Sequence, residues 1–361
     1  PARWLPFRRR PGGRDHGDGE VSDLFSDVIG HEAVVELLRS ELNHPAQAYL
    51  FVGPQSIGKE YVALRFATGL LGGITDERVR RLALARAHPD LWVLEPEGAT
   101  SLGVDQAREV VSRASMTPVE APRSVFLFPD AGAMTESAAN VLLKTLEEPT
   151  AEVVFLLVAE SEEDFPSTVA SRCRSIHMGR IQVPELVGAL VERGMSEDAA
   201  ETVAVVSGGR PGLALALMSR PEVARFRELW LSIPGEVTPH PGDGQRLSMG
   251  VLEELAPLVE DSVPEDLPKE KAQRARRRAE MSLLVSGLEI LASWYSDAAS
   301  LQLGGPIRNS DLDLASFTDV PPRQAVTSAE AVLDAVVDIQ ANLRRELVLA
   351  NLFSSLGSDT E

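Results

Sequence analysis

Seven residues constrain this chain more than any others. Gly53, Pro54, Gln55, Ser56, Ile57, Gly58 and Lys59 fit the spacing G-x-x-x-x-G-K, and they stand between the apolar run Tyr49 to Val52 and a helical segment from Glu60 to Leu71. A phosphate loop needs that position, after a buried strand and before a helix. Its glycines let the backbone curl until N–H groups face an anion, the helix N-terminus adds partial positive charge, and the lysine reaches the terminal phosphates. Lysine occurs only at 59, 144, 269 and 271, so its presence at this one spot carries weight. A strand-to-helix turn with no ligand has the same outline, and the spacing alone leaves that reading open.

The rest of the N-terminal half agrees with a strand at 49–52. Leu91 to Leu94, Ser124 to Phe128 and Val153 to Val158 are apolar runs of strand length, separated by helical stretches Val104 to Ser115 and Thr135 to Leu146. An earlier helix, opening at Asp27 or Gly30, carries Val34, Val35, Leu37, Leu38 and Leu42 at the 3.6-residue period. Strands alternating with helices predict a parallel sheet covered on both faces, an α/β domain. Beyond about residue 180 no comparable strand run occurs. Val183 to Arg193, Ser196 to Ser207 and Gly212 to Met218 read as short helices. The chain from Pro221 on reads as helical, with breaks at 234–244 and 304–306 and long periodicity from Arg323 to Ser355. The expected division is a disordered tail over 1–22, an α/β domain over 23–180, a helical lid over 181–219 and a helical domain over 220–361. In the tail, Trp4 and Phe7 beside Arg8, Arg9 and Arg10 make either a small docking peptide or simply an untidy terminus.

Charge narrows the function classes. The 361 residues hold 35 Lys plus Arg against 54 Asp plus Glu, a net charge of −19. That balance argues against a free-standing nucleic-acid binder, which must neutralise phosphates with basic side chains. It leaves room for a subunit that meets DNA only inside an assembly. The run Lys269 to Arg278 is the most basic stretch and reads either as a solvated helix face or as a contact for DNA or an acidic partner. The longest apolar run, Val153 to Ala159, is far short of a membrane span, and Arg8 to Arg10 are followed by no apolar stretch of the kind a secretory signal has. The expectation is a cytoplasmic chain with no membrane partner. Cys173 is the single cysteine, which excludes an internal disulfide and a zinc site built on paired cysteines.

The loop's surroundings have lost chemistry. The residue after the lysine should be Ser or Thr, whose hydroxyl ligates Mg²⁺. Here it is Glu60, a carboxylate set where a triphosphate and its metal would lie. The strand Val125 to Phe128 should lead into Asp-Glu, one carboxylate for the metal and one for the attacking water; it leads instead into Pro129 and Asp130. On its own Asp130 is more often a turn former than a catalytic group. Two independent losses predict a chain that does not hydrolyse ATP efficiently.

Three segments then carry a resemblance. Phe25-Ser-Asp-Val-Ile-Gly-His31 with Ala48-Tyr-Leu-Phe51, the segment Ala139-Asn-Val-Leu-Leu-Lys-Thr-Leu-Glu-Glu-Pro149, and Ser171-Arg172-Cys173 occur in the order found in bacterial AAA+ clamp-loader subunits. The resemblance implies an AAA+ α/β domain with a P-loop NTPase-like parallel sheet, a small helical lid and an all-α collar that holds a pentamer together. Clamp loaders are five-subunit arcs with ATP at the boundaries, so Arg172 is implied as an arginine finger acting in trans on a neighbour's ATP. A permanently charged, forked guanidinium suits that role; away from the motif, Arg172 would read as a surface or salt-bridging arginine.

The implied partners are the tau/gamma-type and delta-type subunits, with the sliding clamp and primer–template DNA met through the assembly. No cofactor follows with certainty, and ATP held weakly without hydrolysis is compatible with the loop. The family's motor subunits place a nucleotide-sensing arginine at the position aligned with Pro211, beside which this chain has Arg210. The four-cysteine zinc module of many relatives is missing from 72–90, where His88 reads as part of a turn. Cys173 reads as a small packing residue. In the collar, Leu333, Val336, Val337, Ile339, Leu343, Leu347 and Leu349 read as core or as subunit contacts. Three rival readings remain: an ATP-hydrolysing tau/gamma-like motor, an unrelated P-loop phosphotransferase, and a scaffold in which Arg172 is idle.

Overall fold

The computed structural model describes residues 23–95, 101–147, 152–164, 166–218, 222–240, 242–261, 263, 269–309, 312–341 and 343–358. The expected tail, with Trp4, Phe7 and Arg8 to Arg10, lies outside them, as do Glu148 and Pro149. The described residues form two compact units, one of 23–186 with 210–212, the other of 187–209 with 213–358. The helices expected as a lid therefore fall mostly in the same unit as the C-terminal helices.

The first unit is built on five parallel strands, β1 (Ala48–Val52), β2 (Leu91–Val93), β3 (Ser124–Phe128), β4 (Val153–Ala159) and β5 (Arg174–His177), in the order β2-β3-β4-β1-β5. Every residue of β1, β3 and β4 is buried, which is why their sequences are continuous apolar runs and not alternating ones. Helices α1 (Glu32–Glu41), α2 (Lys59–Leu70) and α3 (Glu77–Leu84) cover the face bearing Tyr49, Phe51, Leu127 and Leu156. On the other face α4 (Val104–Ala114), α5 (Glu136–Glu147) and the short α6 (Ser167–Ala170) cover Leu50, Phe126, Phe155 and Leu157. The expected α/β architecture is present, with strand and helix positions as read from the apolar runs.

Besides the single turn of α6, helix α3 and strand β5 were not anticipated. Half of helix α3 is charged, and what starts it is local: the Asp76 carboxylate accepts from the backbone N–H groups of Arg78 (2.8 Å) and Val79 (3.1 Å). Strand β5 buries only Ile176 and lies at the sheet edge beside β1, so it has no apolar run to betray it.

The connection before β3 is held by one carboxylate. Buried Asp90 accepts from the N–H groups of Val119 (2.6 Å), Glu120 (2.9 Å) and Ala121 (2.9 Å), and its own N–H donates to His88 Nδ1 at 3.1 Å. His88 is thus a turn residue of the core.

Helices α7 (Val183–Glu192) and α9 (Pro211–Leu217) belong partly to each unit. The second unit holds α8 (Glu197–Ser207), α10 (Glu222–Glu236), α11 (Asp243–Asp261), α12 (Lys269–Gln302), α13 (Pro322–Gln340) and α14 (Arg345–Ser358). Trp230 of α10 anchors its core, with Phe226 and Phe353 at ring-centroid distances of 6.3 and 6.4 Å. A second buried carboxylate, Asp297, fixes the turn after α12 by accepting from the N–H groups of Arg308 (2.9 Å) and Asn309 (2.8 Å). The expected break at 234–244 begins later, because α10 runs through Pro234 to Glu236. The periodicity from Arg323 to Ser355 is two helices with a turn between them. Among the described residues no helix is long and apolar enough to cross a membrane.

Burial pushes the Asp90 carboxyl up, but its three backbone N–H bonds outweigh that and hold it below the usual carboxylate range. A carboxyl with a lowered folded pKa contributes its full stabilisation above the unfolded value, about pH 3.9, and loses it as pH falls through the folded value. Asp90→Asn is therefore expected to cost about 2 kcal/mol at neutral pH. Denaturant titrations should show the gap to wild type closing below about pH 4.

Candidate functional site

The loop of residues 53–59 leaves the C-terminal end of β1 and enters α2. Its shape is held by backbone. The Gly53 N–H donates to Glu160 O at 3.2 Å, and the Gly212 N–H donates to Ser56 O at 2.8 Å. His31 Nε2 lies 3.3 Å from Ile57 O, the geometry of a donated bond. Glycine is obligatory at two of these points. Gly53 has φ +150°, and a Cβ there would sit 2.0 Å from Met178 O; a Cβ on Gly212 would sit 2.6 Å from Ser56 O. Pro54, Gln55, Ser56, Ile57 and Gly58 complete the turn, with Ser56 and Gly58 also at positive φ.

Lys59 is buried, and its Nζ donates to Gly53 O at 2.5 Å and Pro54 O at 2.6 Å. The ammonium therefore braces the loop's own carbonyls. Glu60, in the first turn of α2, is ion-paired with Arg86, whose guanidinium also reaches Glu95 Oε1 at 3.4 Å. Arg86 holds a left-handed backbone at φ 57°, a conformation that persists only where surrounding contacts over-determine it. Asp130 follows β3 at the start of a single helical turn, Ala131–Ala133. A magnesium-bound triphosphate wants a hydroxyl after the lysine and a carboxylate directly after β3. The residues present offer a carboxylate already engaged by arginine and, next to β3, a proline. That donor set does not fit the metal.

Arg172 lies elsewhere. It follows α6 and precedes β5, its guanidinium paired with Glu147 at the end of α5 and donating to Thr168 O at 2.5 Å. Tyr49 is level with Arg174 and Val52 with His177 in the β1–β5 pairing. Arg172 is thus at the N-terminal edge of the sheet and the loop at the C-terminal edge. The strand alone separates them by about 10 Å, before the flanking residues are added. The structure does not bring Arg172 and the loop of its own chain together. Cys173 is half-buried and its Sγ donates to Val169 O at 3.4 Å. Arg210 is buried, and Pro211 opens α9.

Sequence reading missed Arg86, Glu95, Glu147 and the support from His31 and Gly212. His31, Glu147 and Gly212 stood in segments already singled out. Arg86 and Glu95 stand in no motif, because a salt bridge between loop and helix leaves no spacing signature.

Residues 30–182 match the family model described as DNA polymerase III, delta subunit. The DNA polymerase III subunit delta' of Pseudomonas aeruginosa is 40% identical over 136 residues, 36% of this chain and 42% of that protein. The subunit delta' of Escherichia coli is 40% identical over 139 residues, 38% of this chain and 42% of that protein. The tau/gamma subunit of Haemophilus influenzae is 32% identical over 161 residues, 43% of this chain and 23% of that protein. The chain spans less than half the length of these relatives. With its loop between β1 and α2 of an all-parallel sheet, the first unit has the layout of a P-loop domain. Over that domain the chain is similar to clamp-loader subunits of DNA polymerase III, the delta' subunits among them.

Burial pushes the Cys173 thiol up to about 12. At pH 8 only about one thiol in 10⁴ is then ionised. Labelling of this single cysteine by a disulfide reagent is expected to be at least about 100-fold slower in the native protein than in denaturant. The native rate should still rise about tenfold per pH unit at pH 9.

Proposed function

We propose that the chain is a non-hydrolysing, delta-prime-like subunit of the DNA polymerase III clamp loader, completing a neighbour's ATP site with Arg172 during loading of the sliding clamp onto primer–template DNA. The observation that carries this reading is the placement of Arg172. It stands at the sheet edge opposite the phosphate loop of its own chain, on the surface, so any phosphate it serves must be held by another subunit. Its present partner, Glu147, is half-exposed, and an exposed pair of that kind is worth about 1 kcal/mol at most. Exchange of that carboxylate for a γ-phosphate is therefore cheap. A guanidinium aimed at a transferring phosphate is worth about 10³ to 10⁵ in rate.

The altered loop supports the other half of the reading. Glu60 bound to Arg86 and Pro129 beside Asp130 remove the metal's usual anchors, while Gly53, Gly58 and Lys59 keep the loop's shape. The proposed division is a 23–180 AAA+ domain, a 181–219 lid and a 220–361 collar. The partners are tau/gamma-type and delta-type subunits, with the clamp and DNA reached through them. The tau/gamma likeness supports a second reading, an ATP-hydrolysing motor, in which Lys59 would turn from its loop carbonyls to a nucleotide.

Reconstitution separates these readings. Arg172→Ala is expected to leave assembly of the loader intact, to lower DNA-stimulated hydrolysis at the completed site by about 10³ and to abolish clamp loading. Arg172→Lys should restore little, since a point charge cannot fork onto two oxygens. Unchanged ATPase and clamp loading in the Arg172→Ala assembly would remove the finger assignment.

A further inference from the structure

Arg172 hangs between two weak elements. Helix α6 before it is a single turn, too short to keep its shape unaided. Strand β5 after it lies at the sheet edge and buries one side chain, Ile176. A guanidinium that must meet a transferring phosphate has to be held to about 0.5 Å, and a misplacement of about 1 Å costs about 10²-fold in rate. Packing of α6 and β5 does not supply that precision.

The two residues after Arg172 are pinned on opposite faces of the sheet. Cys173 packs into the core under α4 and α5, and its Sγ donates to Val169 O at 3.4 Å. Arg174 is level with Tyr49 in the β1–β5 pairing, and its guanidinium is ion-paired with Glu41 on the face that α1 covers.

Glu41 is an unexpected residue for its place. It ends α1, so its carboxylate opposes the negative end of the helix dipole, and at 8% exposure it has also left water. Neither circumstance helps the helix. A local rule broken with no local gain marks a constraint imposed from elsewhere. Two groups satisfy the carboxylate: the Tyr49 hydroxyl, which donates to it at 2.5 Å, and Arg174. The Tyr49 oxygen in turn accepts from the Ala46 N–H at 2.7 Å, and its ring meets Phe66 of α2 edge-on, 5.0 Å between centroids. Glu41 is thus fixed by the core, and the half-exposed Arg174 carries that fixity to the start of β5.

We infer that Glu41, presented by Tyr49, anchors Arg174 and so positions Arg172. Glu41 and Arg174 are positioning residues that act through the backbone of 172–174. The effect of this anchor on catalysis rests on the Arg172 reading; its hold on the chain does not.

Arg174→Met tests it, because that change keeps the apolar stem and removes a half-exposed guanidinium; circular dichroism should match wild type. Glu41→Gln, which still accepts from Tyr49, should behave alike. In the lone chain, labelling of Cys173 by a disulfide reagent is expected to quicken at least about tenfold in both variants as the strand start opens. In the loader reconstituted with tau/gamma-type and delta-type subunits, assembly and the KM for ATP should stay as in wild type while DNA-stimulated kcat at the completed site falls about 10²-fold. Arg174→Lys should restore both readouts, since a point charge is enough for this anchor but not for Arg172. Adding Arg174→Met to Arg172→Ala should cost nothing further, because a positioning residue is silent once the group it positions is gone. An unchanged labelling rate or an unchanged kcat in Arg174→Met overturns the inference while the finger stands, and so does a full further loss on top of Arg172→Ala. An indifferent Arg172→Ala overturns the finger and the inference together.

Discussion

The parallel pairing of β1 between β4 and β5 is the constraint on which the rest depends. It sends the chain from Val52 into the loop at one edge of the sheet, and it brings the chain back at the other edge through Arg172 into β5. Four rungs of pairing, from Tyr49 with Arg174 to Val52 with His177, separate the loop from Arg172. A single fold thereby presents the loop of residues 53–59 on one side and the Arg172 guanidinium on the other. Buried strands with no polar alternation make this rigid, because a slip in register would drag apolar side chains out of two cores at once.

Within that frame the loop's conformation is fixed by its own backbone and by Lys59. Gly53 and Gly212 pass so close to carbonyls that no side chain fits, and Lys59 is folded onto Gly53 O and Pro54 O. Glu60 follows the loop in the first turn of α2. Its carboxylate is neutralised by Arg86, a residue with an unfavourable backbone conformation and a second carboxylate, Glu95, to share. Negative charge beside a phosphate loop would ordinarily be a fault. Paired in this way it becomes part of the loop's support, joining α2 to the segment ahead of β2.

Much of the fold was legible because the α/β unit writes itself in apolar runs: β1, β3 and β4 are buried from end to end, and each shows as a stretch dominated by Val, Leu and Phe. Strand β5 was not legible, since an edge strand with one buried residue has no such stretch. Helix α3 was hidden by its arginines and is set by the Asp76 cap. The loop and Arg172 were legible through spacing, and Glu60 and Pro129 through what they replaced. The partners that govern these groups, Arg86 for Glu60 and Glu147 for Arg172, were not, because ion pairs between distant segments follow from the fold and not from local pattern. In the second unit the surface role of Leu333 and Leu347 against the core role of Ile339 and Leu349 was likewise open until the helices were placed.

The central claim is that this loop no longer builds a magnesium–triphosphate site. It is tested most directly by titrating the full chain with ATP by calorimetry, with and without Mg²⁺, and following nucleotide integrity in the same samples. The predicted result is no measurable turnover and an affinity, where any is seen, that magnesium does not improve. Binding that tightens more than tenfold with magnesium and is followed by release of ADP would contradict it.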